Sequence, residues 1–140
     1  MSFVYILAAI LIFGVLIAVH ELGHFLAAKL CGVQVNEFSI GMGPAIWYRK
    51  KGETAYSFRI LPIGGYCAME GEDGDTGNAR AFTRQGFWKK FVILAAGAFM
   101  NFLTGLLIVA ILFSSAGTFF VDGIAGLAPE VSRTGENSLQ

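Results

Sequence analysis

The stretch VLIAVHELGHFLAA, residues 15–28, places two histidines and a glutamate inside an otherwise apolar run. From Phe3 to Val19 the chain carries no charge, and Lys29 is the first charged residue after the motif. Ionisable side chains at membrane depth are costly unless they find partners, which makes them candidates for a functional site. The stretch therefore predicts a membrane-spanning helix that carries a polar site toward its C-terminal end.

The pentapeptide His20-Glu21-Leu22-Gly23-His24 has the HExxH spacing, which sets two imidazoles one helical turn apart on one face. Both rings can then reach a single Zn²⁺ ion, with Glu21 beside it as general base. Two simpler explanations compete. A chance motif on a soluble helix would need a polar face around it, which is lacking. A signal peptide before a soluble zinc protease would need a basic start and a cleavage site before His20, and neither is evident.

Composition and charge distribution agree with a membrane segment. Of the 140 residues 55% are hydrophobic, and the mean hydropathy is +0.63, which is too apolar for an ordinary soluble domain. The formal net charge is zero, which predicts no nucleic-acid partner. Nine of the ten Lys and Arg residues lie between Lys29 and Lys90. By the positive-inside rule this loop is cytoplasmic, and the N-terminus and the C-terminal tail lie outside.

The predicted fold class is membrane α-helical, with two transmembrane helices joined by a cytoplasmic β-hairpin or small β-sheet loop. A helix from Phe3 to Leu30 would be roughly 42 Å long at 1.5 Å per residue, and a second uncharged segment runs from Phe91 to Phe113. A hydrocarbon core needs about 20 residues. The predicted order is a first helix with the motif (1–30), a membrane-associated β region (31–80), an interfacial segment (81–90), the second helix (91–113) and an extracytoplasmic tail (114–140).

The loop between the helices has the pattern of a small sheet. Short β-prone runs alternate with glycine and proline turn signals and predict two to four antiparallel strands. Glu70 to Ala79 is acidic and glycine-rich, which predicts an exposed loop. Cys31 and Cys67 lack metal-binding spacing and are expected to be reduced thiols. The runs are Val33 to Ile40, Ala45 to Arg49, Ala55 to Ile60 and Tyr66 to Met69, and the turns lie at 41–44, 51–52 and 62–65.

Small and polar residues recur on the second predicted helix. Gly97, Asn101 and Gly105 are four residues apart, so they share one helix face. Small residues at this spacing permit close helix contact, and a buried amide can hydrogen-bond across that contact. Asn101 is therefore a candidate site residue, with a purely structural role in helix packing as the alternative.

Taken as a series, the sequence blocks resemble the site-2 protease family of intramembrane zinc proteases, in its RseP/RasP-like bacterial branch. The resemblance extends over about the first 115 residues. Its several blocks are far more specific together than HExxH is alone. The blocks are residues 20–24 (HELGH), 38–44 (FSIGMGP), 54–57 (TAYS), 62–66 (PIGGY), 71–72 (GE), Phe82 with 89–90 (KK), 96–97 (AG) and 101–102 (NF).

The resemblance implies roles for the site residues. His20 and His24 would be Zn²⁺ ligands and Glu21 the catalytic base, and Asn101 matches the family's asparagine beside the active site. If Asn101 faces the site, it could act as a catalytic residue that hydrogen-bonds the oxyanion or holds the unwound substrate backbone. The β region would present the substrate, a transmembrane helix of an anti-sigma factor or a remnant signal peptide, in a bacterial plasma membrane. The substrate-binding residues would be Ile60, Leu61, Gly64, Gly65 and Tyr66.

Two departures from the family pattern affect what this chain is expected to do. Ala98 stands where the family has a proline, which alters a kink but leaves Asn101 in place. Family members continue beyond the position of Gln140 into PDZ domains and a further helix whose aspartate is the third zinc ligand. We therefore expect an N-terminal portion of the protease, in which 121–140 would open a PDZ-like domain. Carboxylates that could complete the site are Glu37, Glu70, Glu72, Asp73 and Asp75, and their spacing selects none.

The sequence leaves two other functions open. One is a catalytically inactive membrane fragment that binds client helices, a full-length protease or the missing C-terminal half. The other is a small transporter that uses His20 and His24 for ion passage. A transporter would need more polar residues along both helices than this chain has. Zinc content and cleavage of a transmembrane substrate would distinguish the enzyme from the fragment.

Overall fold

The structure, a computed structural model, describes residues 2–136 and the side chains from Phe3 to Ser115. The chain divides into two compact units, Met1–Phe102 and Leu103–Gln140. The first unit holds the first helix, the sheet, the beginning of the last helix and the whole candidate site. The elements in chain order are α1 (Ser2–Leu30), β1 (Val35–Lys51), β2 (Thr54–Met69), a 3₁₀ turn (Phe82–Arg84) and α2 (Phe87–Glu136).

Both long helices are apolar enough to cross a membrane. Mean hydropathy reaches 2.7 within Phe3–Leu30 of α1 and 2.2 within Phe87–Ser115 of α2. Each of these segments exceeds the length of about 20 residues that a hydrocarbon core requires. Two long apolar helices therefore flank a small antiparallel sheet, in agreement with the predicted membrane-type fold. Insertion into a bilayer and the orientation of the chain stay predictions.

The first helix ends at Leu30 because a glycine follows it in a left-handed conformation. Gly32 has φ +79°, and the Val33 amide donates to the Ala28 carbonyl at 2.9 Å. This bond closes a Schellman-type cap, which satisfies a carbonyl that the last turn leaves free. The cap turns the chain back along the helix, so that β1 begins only a few residues later.

β1 and β2 pair antiparallel, and a two-residue turn at Gly52-Glu53 joins them. Residues 37–40 pair twice, once with 65–68 and once with 55–58. In the second set the residue numbers rise together, from Glu37 with Ala55 to Ile40 with Phe58. The two long strands are therefore bent, and their four paired segments correspond to the four short strands predicted from the sequence.

The bends fall at two of the turn signals. Gly41, Gly43 and Gly64 have φ values of +89°, +86° and +84°, a region that side chains with a Cβ rarely adopt. The sequence predicted free turns at 41–44 and 62–65, whereas the structure keeps both within the strands. Met42 still pairs with Leu61 across the bends, so the backbone there stays hydrogen-bonded instead of forming a loop.

Two parts of this sheet differ sharply in exposure. We call residues 35–40 and 65–69 the inner segments, and residues 42–50 and 58–63 the outer segments. The inner segments pack with the end of α1 and the start of α2 around one apolar core, whereas the outer segments are almost wholly exposed. The buried core residues are Ala27, Ala28, Val33, Val35, Phe38, Cys67, Met69 and Ile93.

A carboxylate at the turn of the sheet ties three segments together. Glu53 accepts hydrogen bonds from Lys29, at the end of α1, at 2.6 Å and from Arg80 at 2.6 Å and 3.0 Å. These bonds lower the pKa of Glu53 to about 2, first through Arg80 and then through Lys29. The turn is thereby held at the C-terminal end of α1.

The start of α2 differs from the prediction. The helix begins at Phe87, where the sequence analysis placed the last part of an interfacial segment, because Lys90 already donates its amide to the Gly86 carbonyl. It continues past Phe113, the predicted end, to Glu136. Residues 137–140 lie outside the described part of the chain, as do the side chains beyond Ser115, so the predicted opening of a PDZ-like domain stays a prediction.

Candidate metal centre and active site

The two histidines of the motif direct the same ring atom at one point. The Nε2 atoms of His20 and His24 are 3.2 Å apart, and the rings meet edge to face with centroids 4.8 Å apart. Two nitrogens that share one tetrahedral Zn²⁺ at about 2.0–2.1 Å each lie about 3.3 Å from each other. The pair therefore has the separation that a common metal ion requires.

The orientation of His24 is fixed by the backbone of α2. Its Nδ1 lies 2.8 Å from the carbonyl oxygen of Ile93, a residue with no exposed surface. A carbonyl can only accept, so Nδ1 carries the proton and Nε2 keeps its lone pair. This is the usual arrangement of a metal-binding histidine, whose second nitrogen donates to a neighbouring acceptor.

Space in front of both Nε2 atoms exists because residue 97 is a glycine. A Cβ built on Gly97 would lie 2.6 Å from Nε2 of His24 and 2.7 Å from Nε2 of His20. A Cβ on Gly23, within the motif, would lie 2.4 Å from the carbonyl oxygen of Ala96. The two helices thus approach backbone to backbone at the motif, and the missing side chain at Gly97 leaves a gap beside both Nε2 atoms.

Asn101 contacts His20 at the ring nitrogen that is not directed at His24. Its Nδ2 is 3.3 Å from Nδ1 of His20, and its Oδ1 is buried without a partner among the described residues. Asn101 is thus in direct contact with a predicted metal ligand.

Glu21 faces a cavity of about 440 Å³ that β2 closes on one side. This volume falls within the range of small-molecule sites, about 300–1,000 Å³. A Cβ on Gly65 would come within 3.5 Å of Cγ of Glu21, which shows how closely the strand passes the motif. The residues that line the cavity are Glu21, His24, Tyr66, Cys67, Ala68, Met69, Glu72, Asp73 and Leu94.

Comparison with known proteins identifies this arrangement. Residues 8–139 match the sequence profile described as Peptidase family M50. The chain belongs to this family. The site-2 protease resemblance noted from the sequence is thereby confirmed, and the HExxH motif lies inside the matched range.

Bacterial relatives of this M50 chain share its sequence over most of its length. A protein of Clostridium acetobutylicum is 46% identical over 99% of this chain and 38% of its own length. One of Clostridium perfringens is 44% identical over 89% of this chain and 37% of its own length. Both are named "Putative zinc metalloprotease". The chain therefore spans a little over a third of the length of these curated relatives.

The predicted substrate-binding residues separate into two groups in the M50 chain. Gly65 and Tyr66 lie beside Glu21, at the cavity. Gly64 packs against the side chain of Met42. Ile60 and Leu61 belong to the outer segments, are 58% and 53% exposed, and do not border the cavity.

Among the residues that the structure describes, no group of three His, Cys, Asp or Glu side chains converges to hold a metal. Of the five candidate carboxylates, Glu72 and Asp73 line the cavity, and the other three bond elsewhere: Glu37 to Ser57 and Arg59, Glu70 to Asn36, and Asp75 to Arg84. Neither cysteine forms a disulfide. Burial raises the pKa of the Cys67 thiol to about 12, so it is neutral at physiological pH.

Some site residues were not identified from the sequence. No sequence motif marks the carbonyl of Ile93 as a contact of His24. None marks the strand segment Cys67 to Met69 as part of the cavity wall. Gly97 had been noted only for helix packing. The available signal was its spacing of one turn from Asn101, which puts both residues on the same face of the helix. A small residue on a face that meets the two histidines leaves room for their ligand.

Proposed function

We propose that this chain is part of a zinc-dependent intramembrane endopeptidase. The observation that carries the proposal is the geometry of the motif: two Nε2 atoms 3.2 Å apart that face a gap kept open by Gly97. The gap lies beside a glutamate that borders a cavity. The substrates would be transmembrane segments, such as those of membrane-anchored anti-sigma factors or remnant signal peptides.

The placement in the membrane follows from apolar surface and charge. Both helices would cross the plasma membrane, with the basic loop on the cytoplasmic side and both chain ends outside. The outer segments would lie against lipid, because Ile46, Tyr48 and Ile60 expose 58–71% of their surface. The motif, near the C-terminal end of α1, would then lie toward the cytoplasmic face.

The residues of the site would divide the chemistry between them. His20 and His24 would hold the metal, and Glu21 would take the proton of the attacking water and deliver it to the leaving amide nitrogen. A Zn²⁺ ion bound there would supply Lewis acidity and lower the pKa of nearby water toward about 7. Asn101, which would bind the oxyanion or the substrate backbone, is close enough to this centre to contact His20.

An unwound substrate would need partners for its backbone groups, since unpaired amides are costly in an apolar medium. The inner segment 65–69 pairs with 35–40 on one side, and its residues from Tyr66 to Met69 line the Glu21 cavity. A client chain could add there as a further strand. Within the predicted β region, the receiving edge would then be nearer Ala68 than Ile60.

Proline substitutions test this edge. Ala68→Pro should reduce cleavage of a model transmembrane substrate while zinc stays bound, because proline removes an amide donor and restricts the strand. Ile60→Pro, in an exposed outer segment, is the matched control and should have the smaller effect. A larger loss at Ile60 would place the receiving edge in the outer segments instead.

The enzymatic proposal itself is tested by zinc content and cleavage together. Detergent-solubilised protein prepared in zinc should contain the metal, and Glu21→Gln should keep it while losing cleavage. A metal-free parent protein would overturn the proposal. The assay should include the chain co-expressed with the C-terminal half of an M50 relative, since this chain covers only part of such proteins.

The second candidate is an inactive fragment that binds client helices or a longer protease. One observation favours it: the described residues bring two metal-binding side chains together and no third. In this case neither the parent nor Glu21→Gln would cleave the substrate, alone or co-expressed, and both would still be recovered with the client helix.

A further inference from the structure

We propose that Asn101 is the positioning residue of His20. Its Oδ1 accepts the Nδ1 proton of His20 and so presents the Nε2 lone pair to the metal. The inference rests on the proposed zinc function but assigns Asn101 a task other than binding the oxyanion or the substrate.

The contacts of the two histidines have matching spacings on the two helices. Ile93, Gly97 and Asn101 are four residues apart on α2, as His20 and His24 are on α1. The Ile93 carbonyl contacts Nδ1 of His24, Gly97 faces the Nε2 atoms of both rings, and Asn101 contacts Nδ1 of His20. One face of α2 therefore contacts the Nδ1 atom of each histidine. Between these two contacts, Gly97 leaves space beside the Nε2 atoms.

The position of the proton on each histidine ring also points to Asn101. A histidine that binds metal through Nε2 carries its proton on Nδ1, and that N–H needs an acceptor. At His24 the acceptor is the Ile93 carbonyl. At His20 the Asn101 amide, whose nitrogen lies 3.3 Å from Nδ1, is the neighbour among the described residues that could serve. Only its oxygen can accept.

The amide can supply this oxygen without changing its shape. As placed, Nδ2 faces His20, and half a turn of the amide exchanges it for Oδ1. The amide atom that does not face His20 occupies a buried position without a partner among the described residues, whichever way the amide is turned. The contact with His20 therefore decides the orientation, and a metal-binding His20 requires the oxygen.

Three substitutions test the inference. Asn101→Leu keeps the branching at Cγ and removes the acceptor, so zinc affinity should fall by the ~10–100-fold typical of lost outer contacts. Asn101→Asp keeps an acceptor of the same shape and should retain most of the affinity. Phe102→Leu, one residue along α2 and 67% exposed in the parent residue, is the control and should leave affinity unchanged.

Zinc affinity is measured on the whole detergent-solubilised chain by competition with a chromophoric chelator. The tautomer of His20 is followed by ¹⁵N NMR of histidine-labelled protein. In the parent without zinc, His20 should already carry its proton on Nδ1, and in Asn101→Leu this preference should be lost while that of His24 persists.

The outcomes separate this inference from the proposed function. Equal zinc affinity in the parent and Asn101→Leu, or an equal loss in Asn101→Asp, overturns the positioning role alone. Lower cleavage by Asn101→Leu with unchanged zinc affinity also overturns it, and points to the oxyanion. A parent that binds no zinc overturns both proposals.

Discussion

The inner and outer segments belong to the same two strands, yet they have opposite surroundings. In the inner segments Val35 is fully buried and Cys67 is 7% exposed, whereas in the outer segments Ile46 is 71% and Leu61 is 53% exposed. Both sets are rich in apolar residues, so composition does not explain the difference. The helices do: the inner segments lie against α1 and the start of α2, whereas the described contact of the outer ones with α1 is made by the backbone of Pro62 at Gly14 and leaves their side chains exposed.

The difference indicates which part of the sheet has to be held rigidly and which part can adapt to what covers it. The inner segments form the wall of the Glu21 cavity, so their position has to be set by packing within the protein. The outer segments carry an exposed apolar surface of the kind that marks an interaction site. A lipid environment or a client helix would cover it, and neither requires the close fit of a core.

The largest expected effect comes from filling the gap beside the histidines. Gly97→Ala should abolish zinc binding, and with it cleavage, because the new methyl group would lie 2.6 Å from Nε2 of His24. Zinc content and cleavage are measured together. Gly105→Ala is the control on the same helix, since its added Cβ would meet nothing within 4 Å. Normal zinc binding by Gly97→Ala would show that the helices are not as closely apposed at the site as the core packing indicates.

A matched pair of truncations tests the comparison itself. Met69→Ala, in an inner segment and 8% exposed, should lower the free energy of unfolding by about 2–5 kcal/mol because it leaves a cavity. Ile46→Ala, in an outer segment, should change it by no more than about 0.5 kcal/mol in detergent. Equal losses in thermal or denaturant unfolding would mean that another part of the protein covers the outer segments.

The smallest expected effect concerns the carboxylate at the sheet turn. The folded-state pKa of Glu53 is lowered to about 2 from an ordinary value of 4.5. A lowered pKa stabilises the fold above the ordinary value, and this contribution is lost as pH falls from about 4.5 toward about 2. Glu53→Gln should therefore be slightly less stable than the parent at neutral pH, by the modest amount typical of exposed ion pairs. The difference should vanish at low pH, and a constant difference across an unfolding series in pH would contradict the assignment.

Local patterns in the sequence were sufficient for much of the fold. The end of α1 at Leu30 follows from Gly32, and four β segments follow from β-prone runs between glycine and proline signals. The spacing of His20 and His24 dictates that their rings meet, because any helix brings residues four apart to one face. These features depend on a few neighbouring residues each.

Contacts between distant segments were beyond the sequence. Nothing local to Ile93 indicates that its carbonyl meets His24, because this depends on how far α2 is shifted along α1. The bends at 41–44 and 62–65 contain the residues of ordinary turns, and only their cross-strand pairing keeps them in the sheet. The assignment of Ile60 and Leu61 to the substrate rested on the resemblance, whereas the cavity favours Tyr66 to Met69.

The spacing of four residues along α2 has one more consequence, for assembly. If α2 slipped along α1 by one turn, about 5.4 Å, Gly97 would be replaced opposite the histidines by Ile93 or Asn101, and a side chain would fill the gap. A slip of one turn in either direction would therefore leave no room for a metal. An ion bound there would oppose sliding of α2 along α1. Metal binding would therefore depend on the two helices having packed in the correct alignment.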